Sequence, residues 1–265
     1  MTDRYAVIGH PIEHSKSPLI HAAFARQTGQ DMEYGKVLAP LDGFAATVEA
    51  LRAEDYRGCN VTVPFKLEAF TLSTELTSRA EDAGAVNTLM FDGARIFGDN
   101  TDGAGLVTDI VHNHTSPIAG ARVLLLGAGG AARGVIRPLL EAGPASLTLA
   151  NRSPEKALAL QAHFGALSVC GFEALSANQF DLVINATSAG LDDAALPISE
   201  SIFAPGALAY DMMYGRQTPF MRLAAGAGAR VADGLGMLVE QAAEAFYLWR
   251  GVRPDTASVI RQLRA

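Results

Sequence analysis

The stretch VLLLGAGGAARGVIRPLL, residues 123–140, constrains the fold of this chain more than any other. An apolar run suited to a buried strand breaks at glycine and passes at once into a helix-forming run. Gly127, Gly129 and Ala132 fit the GxGxxG/A spacing, which supplies a tight turn, close backbone approach to a pyrophosphate, and a small residue where helix meets strand. Glycines also punctuate ordinary strand-to-helix turns. Here a strand precedes them and a helix N-terminus follows, and that context makes dinucleotide binding, with Gly127, Ala128, Gly129, Gly130 and Ala131 around the anion, the better reading.

The same alternation continues along the chain. RVLLLG (122–127), SLTLA (146–150), DLVINA (181–186) and ALAYDMM (207–213) read as strands with helix-length segments between most of them, the βαβ pattern of a parallel sheet. GDNTDGAG (98–105) and VADGLGM (231–237) interrupt the pattern and read as crossovers between domains. After the second crossover, Leu238, Ala242, Ala245, Phe246 and Trp249 share one helical face, so the chain is expected to return to its first domain.

With 265 residues, 49% of them hydrophobic, two cores are within reach. A net charge of -7 without a basic run argues against nucleic acid and membrane surfaces as partners and for a small molecule. No signal peptide or membrane-spanning run is evident, so a cytoplasmic protein is expected. Cys59 and Cys170 read as buried thiols of a reducing compartment, a disulfide between them being the other reading. His10, His14, His21, His112 and His114 form no metal-ligand pattern, and no metal is assigned.

The strand SLTLA is followed by NRSPEK, with Asn151, Arg152 and Lys156 where an NAD site would carry an acid for the ribose hydroxyl. Arginine offers a planar fork to a phosphate and lysine a point charge, so NADP is the expected cofactor. Ser153 and Pro154 also fit an ordinary helix cap and first helical residue. Asn185 to Ser188 stand at a strand end, where Thr187 would line the cofactor crevice.

Two further stretches carry polar chemistry. In HSKSPLIHAAFARQTG (14–29), Ser17 reads as a helix cap, Pro18 as the first helical residue and Gly29 as the stop, leaving Ser15 just outside. In NVTVPFK (60–66), a β-branched run ends at Pro64, placing Lys66 at or just past a strand end.

GHPIEHSKSP, GCNVTVPFK, AGAVNT, GDNTDGAG, GAGGAARG, NRS, NATSAG, MMYG and GLGMLVEQ occur in this order, and the chain resembles the shikimate dehydrogenase family from residue 9 to about 245. The resemblance implies two α/β domains: a substrate domain of residues 1–102 completed by 237–265, and a Rossmann-type NADP-binding domain of 103–236. It implies shikimate or 3-dehydroshikimate as substrate, bound by Ser15 and Ser17 at the carboxylate and by Thr62, Asn87, Tyr214 and Gln241 elsewhere. It places Gly127 to Arg133 at the pyrophosphate, Asn151, Arg152 and Lys156 at the 2′-phosphate, and Met213 and Gly236 near the nicotinamide. Ser153 and Lys156 depart from the threonine and arginine frequent in the family. A monomer or homodimer is expected.

Hydride transfer from a secondary alcohol requires that its hydroxyl proton leave, so an acid/base group is needed. Lys66 and Asp102 are the expected catalytic pair. Lys66 is either the acid/base with Asp102 as orienter, or a cation that only binds and polarises the oxygen. Competing readings are a quinate/shikimate dehydrogenase with wider cofactor or substrate use, and a non-catalytic regulatory paralogue.

Overall fold

The computed structural model describes residues 2–187, 189 and 193–265, and divides into two compact units, Met1–Gly105 with Val239–Ala265, and Leu106–Leu238. In the first unit, strand β1 (Asp3–Gly9) is followed by α1 (Ser17–Thr28), β2 (Met32–Leu38), α2 (Phe44–Ala53), β3 (Tyr56–Val61), α3 (Lys66–Leu72), β4 (Glu75–Leu76), α4 (Ser78–Ala83), β5 (Thr88–Asp92) and β6 (Arg95–Asp99). The sheet order is β2-β1-β3-β5-β6-β4, with β3 and β5 antiparallel and β1 parallel to both its neighbours. One face buries Ile8, Val61 and Leu89 against Phe44, Val48 and Phe65. Against the other face, Tyr5 stacks on Trp249 at 4.6 Å and Phe24 meets Phe246 edge-on at 5.6 Å.

The chain then runs through α5 (Asp102–Thr108), a π-helical turn (Asp109–Asn113), β7 (Arg122–Leu126), α6 (Gly130–Glu141), β8 (Ser146–Ala150), α7 (Pro154–Phe164), β9 (Ser168–Cys170), β10 (Phe180–Asn185), β11 (Phe203–Asp211), α8 (Pro219–Gly226) and β12 (Arg230–Asp233). The second sheet is parallel throughout, in the order β12-β11-β10-β7-β8-β9. Counted within the unit this is the doubly wound order, whose reversal between β7 and β10 opens a crevice at their C-terminal ends. Leu124, Leu126 and Val183 face one core and Val123, Leu125 and Ile184 the other, as expected of a sheet buried on both sides. Helices α9 (Leu235–Arg250) and α10 (Thr256–Arg264) end the chain. The buried stripe of α9 is Val239, Ala242, Ala243, Ala245 and Phe246, and Leu238 lies only half-buried.

A bidentate ion pair ties the first unit together. Arg79 donates from Nε and an Nη to the two oxygens of buried Asp99, at 2.6 and 2.7 Å, and from its other Nη to Glu244 of α9 at 3.1 Å. Burial alone would raise the Asp99 pKa, but the Arg79 bonds, with those of Thr77 and the Asn100 N–H, carry it below the usual value. Cys59 is fully buried, whereas Cys170 is half-buried. Both are free thiols, against the disulfide reading.

Candidate active site

The loop that delivers Lys66 narrows the sequence expectation. β3 ends at Val61, Thr62 makes one more bond to Ile8 O (2.9 Å), and the chain turns with Phe65 N donating to Thr62 O at 3.0 Å. Lys66 therefore lies past the strand end rather than at it, as the first residue of α3, and its carbonyl accepts from Val86 N at 2.9 Å. Asp102 opens α5, its own N–H held by Asn100 Oδ1 at 3.1 Å.

These two helix starts place Lys66 Nζ 2.5 Å from Asp102 Oδ2, both side chains partly exposed. The other carboxylate oxygen accepts from Asn87 Nδ2 at 2.8 Å. The Asn87 amide is fully used. Its oxygen accepts from Thr101 N (2.9 Å) and Thr88 Oγ1 (2.9 Å), and its nitrogen also reaches Thr101 Oγ1 (3.0 Å) and, more distantly, Gln241 Oε1 (3.4 Å). Lys66 thus spends one of its three N–H donors on Asp102 and has others for an oxygen placed at the pair. Thr62 precedes Lys66 on the same loop, half-buried, with Cγ2 packed on Gly9.

The cap expected of Ser17 is not made. α1 begins at Ser17, its preceding residue Lys16 is already helical in φ and ψ, and no side chain caps it. Instead Ser15 Oγ accepts from Ser17 N at 3.3 Å, while the Ser17 side chain is buried beside the Tyr34 hydroxyl, whose pKa burial raises and Ser17 lowers. Gly29 ends the helix in the left-handed region, as expected.

In the second unit, Gly127 has φ +105°, and a Cβ there would stand 3.1 Å from Ala186 O and Thr187 Cγ2. Only glycine fits this turn. A Cβ on Gly129 or Gly130 would meet nothing within 4 Å, and α6 starts here, at exposed residues, with no side-chain cap for its first-turn N–H groups. Ala128 and Ala131 flank these glycines, and Ala132 packs into the core. Beyond β8, Asn151 Nδ2 donates to Ser153 O at 2.9 Å, and Arg152 and Lys156 are exposed. Ser153 stands at the cap position of α7 without making a cap bond.

Buried Asp211 organises the ends of β10 and β11: it accepts from Asn185 Nδ2 (3.1 Å), Thr218 Oγ1 (2.6 Å) and Met213 N (3.0 Å). Asn185 Oδ1 in turn holds Thr187 through both N (3.1 Å) and Oγ1 (2.8 Å). Ser188 lies outside the described residues. Tyr214 follows Met213, half-buried, and burial raises its pKa. Gly236 lies on the Asp109 carboxylate, which Tyr210 OH and Asn113 Nδ2 hold at 2.6 and 2.9 Å.

The structure thus joins Lys66, Asp102, Asn87 and Gln241 by hydrogen bonds, pairs Ser15 with Ser17, and carries Tyr214 and the cofactor residues in the other unit. Sequence reading passed over Thr101, Thr88, Asn60, Tyr34 and Asp211. Asn60, polar at the head of a β-branched run, was the one visible signal.

A doubly wound sheet with a glycine-opened helix start, joined in one chain to a mixed α/β unit that holds a Lys–Asp pair, defines a two-domain NADP-dependent oxidoreductase. The chain belongs to the shikimate dehydrogenase family. It matches the shikimate dehydrogenase substrate-binding domain over residues 7–89, shikimate / quinate 5-dehydrogenase over 109–192, and the shikimate 5'-dehydrogenase C-terminal domain over 234–264. It is 66% identical to the shikimate dehydrogenase (NADP(+)) of Methylobacillus flagellatus over 99% of each chain. Among solved structures it resembles an Ael1 enzyme from Pseudomonas putida, with a TM-score of 0.97 and 52% identity over 99% of this chain and 98% of that one. It also resembles shikimate 5-dehydrogenase from Thermus thermophilus in complex with NADP(H) and shikimate, with a TM-score of 0.89 and 36% identity over 99% of each chain.

Proposed function

We propose that this chain catalyses the reversible NADPH-dependent reduction of 3-dehydroshikimate to shikimate, a step towards chorismate and the aromatic amino acids. The observation that carries the reading is the Lys66–Asp102 pair, braced by Asn87, in a chain of this family. Lys66 holds the alcohol oxygen and exchanges its proton with it. Asp102 keeps the ammonium aimed, and Asn87 keeps Asp102 from turning away. Thr62, Gln241 and Tyr214 contact the substrate hydroxyls, and Ser15 and Ser17 the carboxylate.

NADP fits the second unit. The uncapped start of α6 and the space over Gly129 and Gly130 suit a pyrophosphate. The exposed Arg152 and Lys156, with Asn151, suit the 2′-phosphate. Thr187, Met213 and Gly236 border the nicotinamide, which supplies or accepts the hydride when bound. Residues 1–102 with 237–265 serve the substrate and 103–236 the cofactor, in a cytoplasmic monomer or homodimer. No described helix is long and apolar enough to cross a membrane.

The test is near-ultraviolet absorbance of the reduced nicotinamide, with shikimate and quinate each offered with NADP⁺ and with NAD⁺. Shikimate with NADP⁺ is expected to be turned over fastest. Faster turnover of quinate, or of NAD⁺, selects the broader dehydrogenase, and no turnover of any pair refutes the enzyme reading.

A further inference from the structure

Behind Asn87, polar side chains cross the sheet in a row. Tyr34 on β2 donates its hydroxyl proton to Asn60 Oδ1 on β3 at 2.6 Å, Asn60 Nδ2 donates to Thr88 Oγ1 on β5 at 3.0 Å, and Thr88 Oγ1 donates to Asn87 Oδ1 at 2.9 Å. From there Asn87 Nδ2 donates to Asp102, which also receives Lys66. Every donor points the same way. Strand pairing makes this possible: Tyr5 of β1 pairs with Tyr34, Val7 with Asn60, and Asn60 with Thr88, so the row lies on one face of the sheet.

The direction of the row has a cause. The Tyr34 ring stacks on the buried His21 imidazole at 4.1 Å and 7°, and neither nitrogen of that imidazole has a hydrogen-bond partner. Burial pushes the His21 pKa down to about 3, so the ring stays neutral, and burial likewise holds the Tyr34 phenol protonated. Since Tyr34 arrives as a donor, Asn60 must present its oxygen to it and its nitrogen to Thr88. With a Thr88 lone pair so occupied, the threonine proton goes to Asn87. Two donors then fill the Asn87 oxygen and polarise its N–H groups towards Asp102.

We propose that Tyr34, Asn60 and Thr88 are positioning residues for the Lys66–Asp102 pair, acting through the Asn87 amide without touching the substrate. The inference rests on the dehydrogenase reading for its kinetic consequence, though not for its structural one.

The test compares Tyr34→Phe, Thr88→Val, their double variant and Thr88→Ser, in the whole chain, by steady-state kinetics and thermal melting. Tyr34→Phe removes the first bond of the row and Thr88→Val the two made by its hydroxyl, and each should lower kcat about five- to tenfold while leaving the shikimate KM within about twofold. The double variant should be no slower than Thr88→Val alone, since a broken row is not broken twice. Thr88→Ser, which keeps the hydroxyl, should restore kcat. In isotope-labelled protein, the Asn87 side-chain amide should exchange its protons with solvent faster in both single variants than in the parent. An unchanged kcat in variants that melt normally, additive losses, or a loss confined to KM would overturn the proposal. If the parent does not turn over shikimate, the proposed function fails, and the Asn87 exchange rate alone decides the inference: unchanged exchange refutes it.

Discussion

Gly105 lies one helical turn beyond Asp102 on α5, and a Cβ built there would sit 2.6 Å from Gln241 N, 2.7 Å from Gln241 Cβ and 2.9 Å from Gln241 Cα. Ordinary contact begins at 3.4 Å, so Gly105→Ala demands a displacement of roughly 0.8 Å. Nothing soft can absorb it, because backbone atoms of two helices meet there. Replacing glycine by alanine inside a helix would by itself gain about 1 kcal/mol. Overpacking against backbone costs about 1–3 kcal/mol, and the net loss should appear as a melting temperature lower by several degrees, at about 2–4 °C per kcal/mol for a chain of this size. The larger effect is on rate. The helix that must move carries Asp102, the one it moves against carries Gln241, and a misplacement near 1 Å can cost about a hundredfold. Kinetics with shikimate and NADP⁺ beside a melting curve test this, with kcat/KM falling far more than stability. A Gly105→Ala protein with parental melting and turnover would show that the close approach of α5 to α9 has no role in aligning the pair.

Lys66→Ala should lower kcat by roughly two to four orders of magnitude with a smaller change in shikimate KM. An intact kcat with weak binding would make Lys66 a binding residue only. Arg152→Ala should raise the NADP⁺ KM roughly ten- to hundredfold, the scale of a lost hydrogen bond to a charged group, and leave the NAD⁺ KM nearly unchanged. Equal losses with both cofactors would remove Arg152 from the 2′-phosphate. Because the Asp99 pKa is lowered in the folded state, its contribution to stability is present above the unfolded value and lost as pH falls through the folded one. Arg79→Met should therefore destabilise by about 3 kcal/mol near neutrality, and by progressively less as pH falls below the ordinary carboxylate range, as read by urea unfolding across that range. A deficit independent of pH would show that Arg79 acts by packing alone.

Local patterns in the chain were legible. The strands RVLLLG, SLTLA and DLVINA, the turn at Gly127 and the stop at Gly29 each follow from neighbours in sequence, and the structure has them. Lys66 and Asp102 could be named because each sits beside a strong local break. Ser17 was misread because a serine before proline looks like a cap, and only the helical backbone at Lys16 reveals that the helix has already begun. Cys170 was read as buried because an isolated cysteine with no partner motif usually is, whereas β9 is a three-residue strand at the edge of its sheet and leaves the thiol half-buried. The row from Tyr34 to Asn87 was illegible for a different reason. Its members are brought together by the strand order β2-β1-β3-β5, which no local period encodes.

The interruption of the first unit by residues 106–238 also orders events at the ribosome. The second unit is contiguous and can close as soon as β12 emerges. The first cannot, because Glu244 for Arg79, Phe246 for Phe24, and the Trp249 indole that donates to Leu89 O at 3.1 Å are all made last. A growing chain therefore carries a finished nucleotide fold while one face of the earlier sheet still waits for its cover. Loss of the final helices, whether by a premature stop or by proteolysis, is expected to leave a folded dinucleotide-binding piece attached to an aggregation-prone β-sheet, not an enzyme of reduced activity.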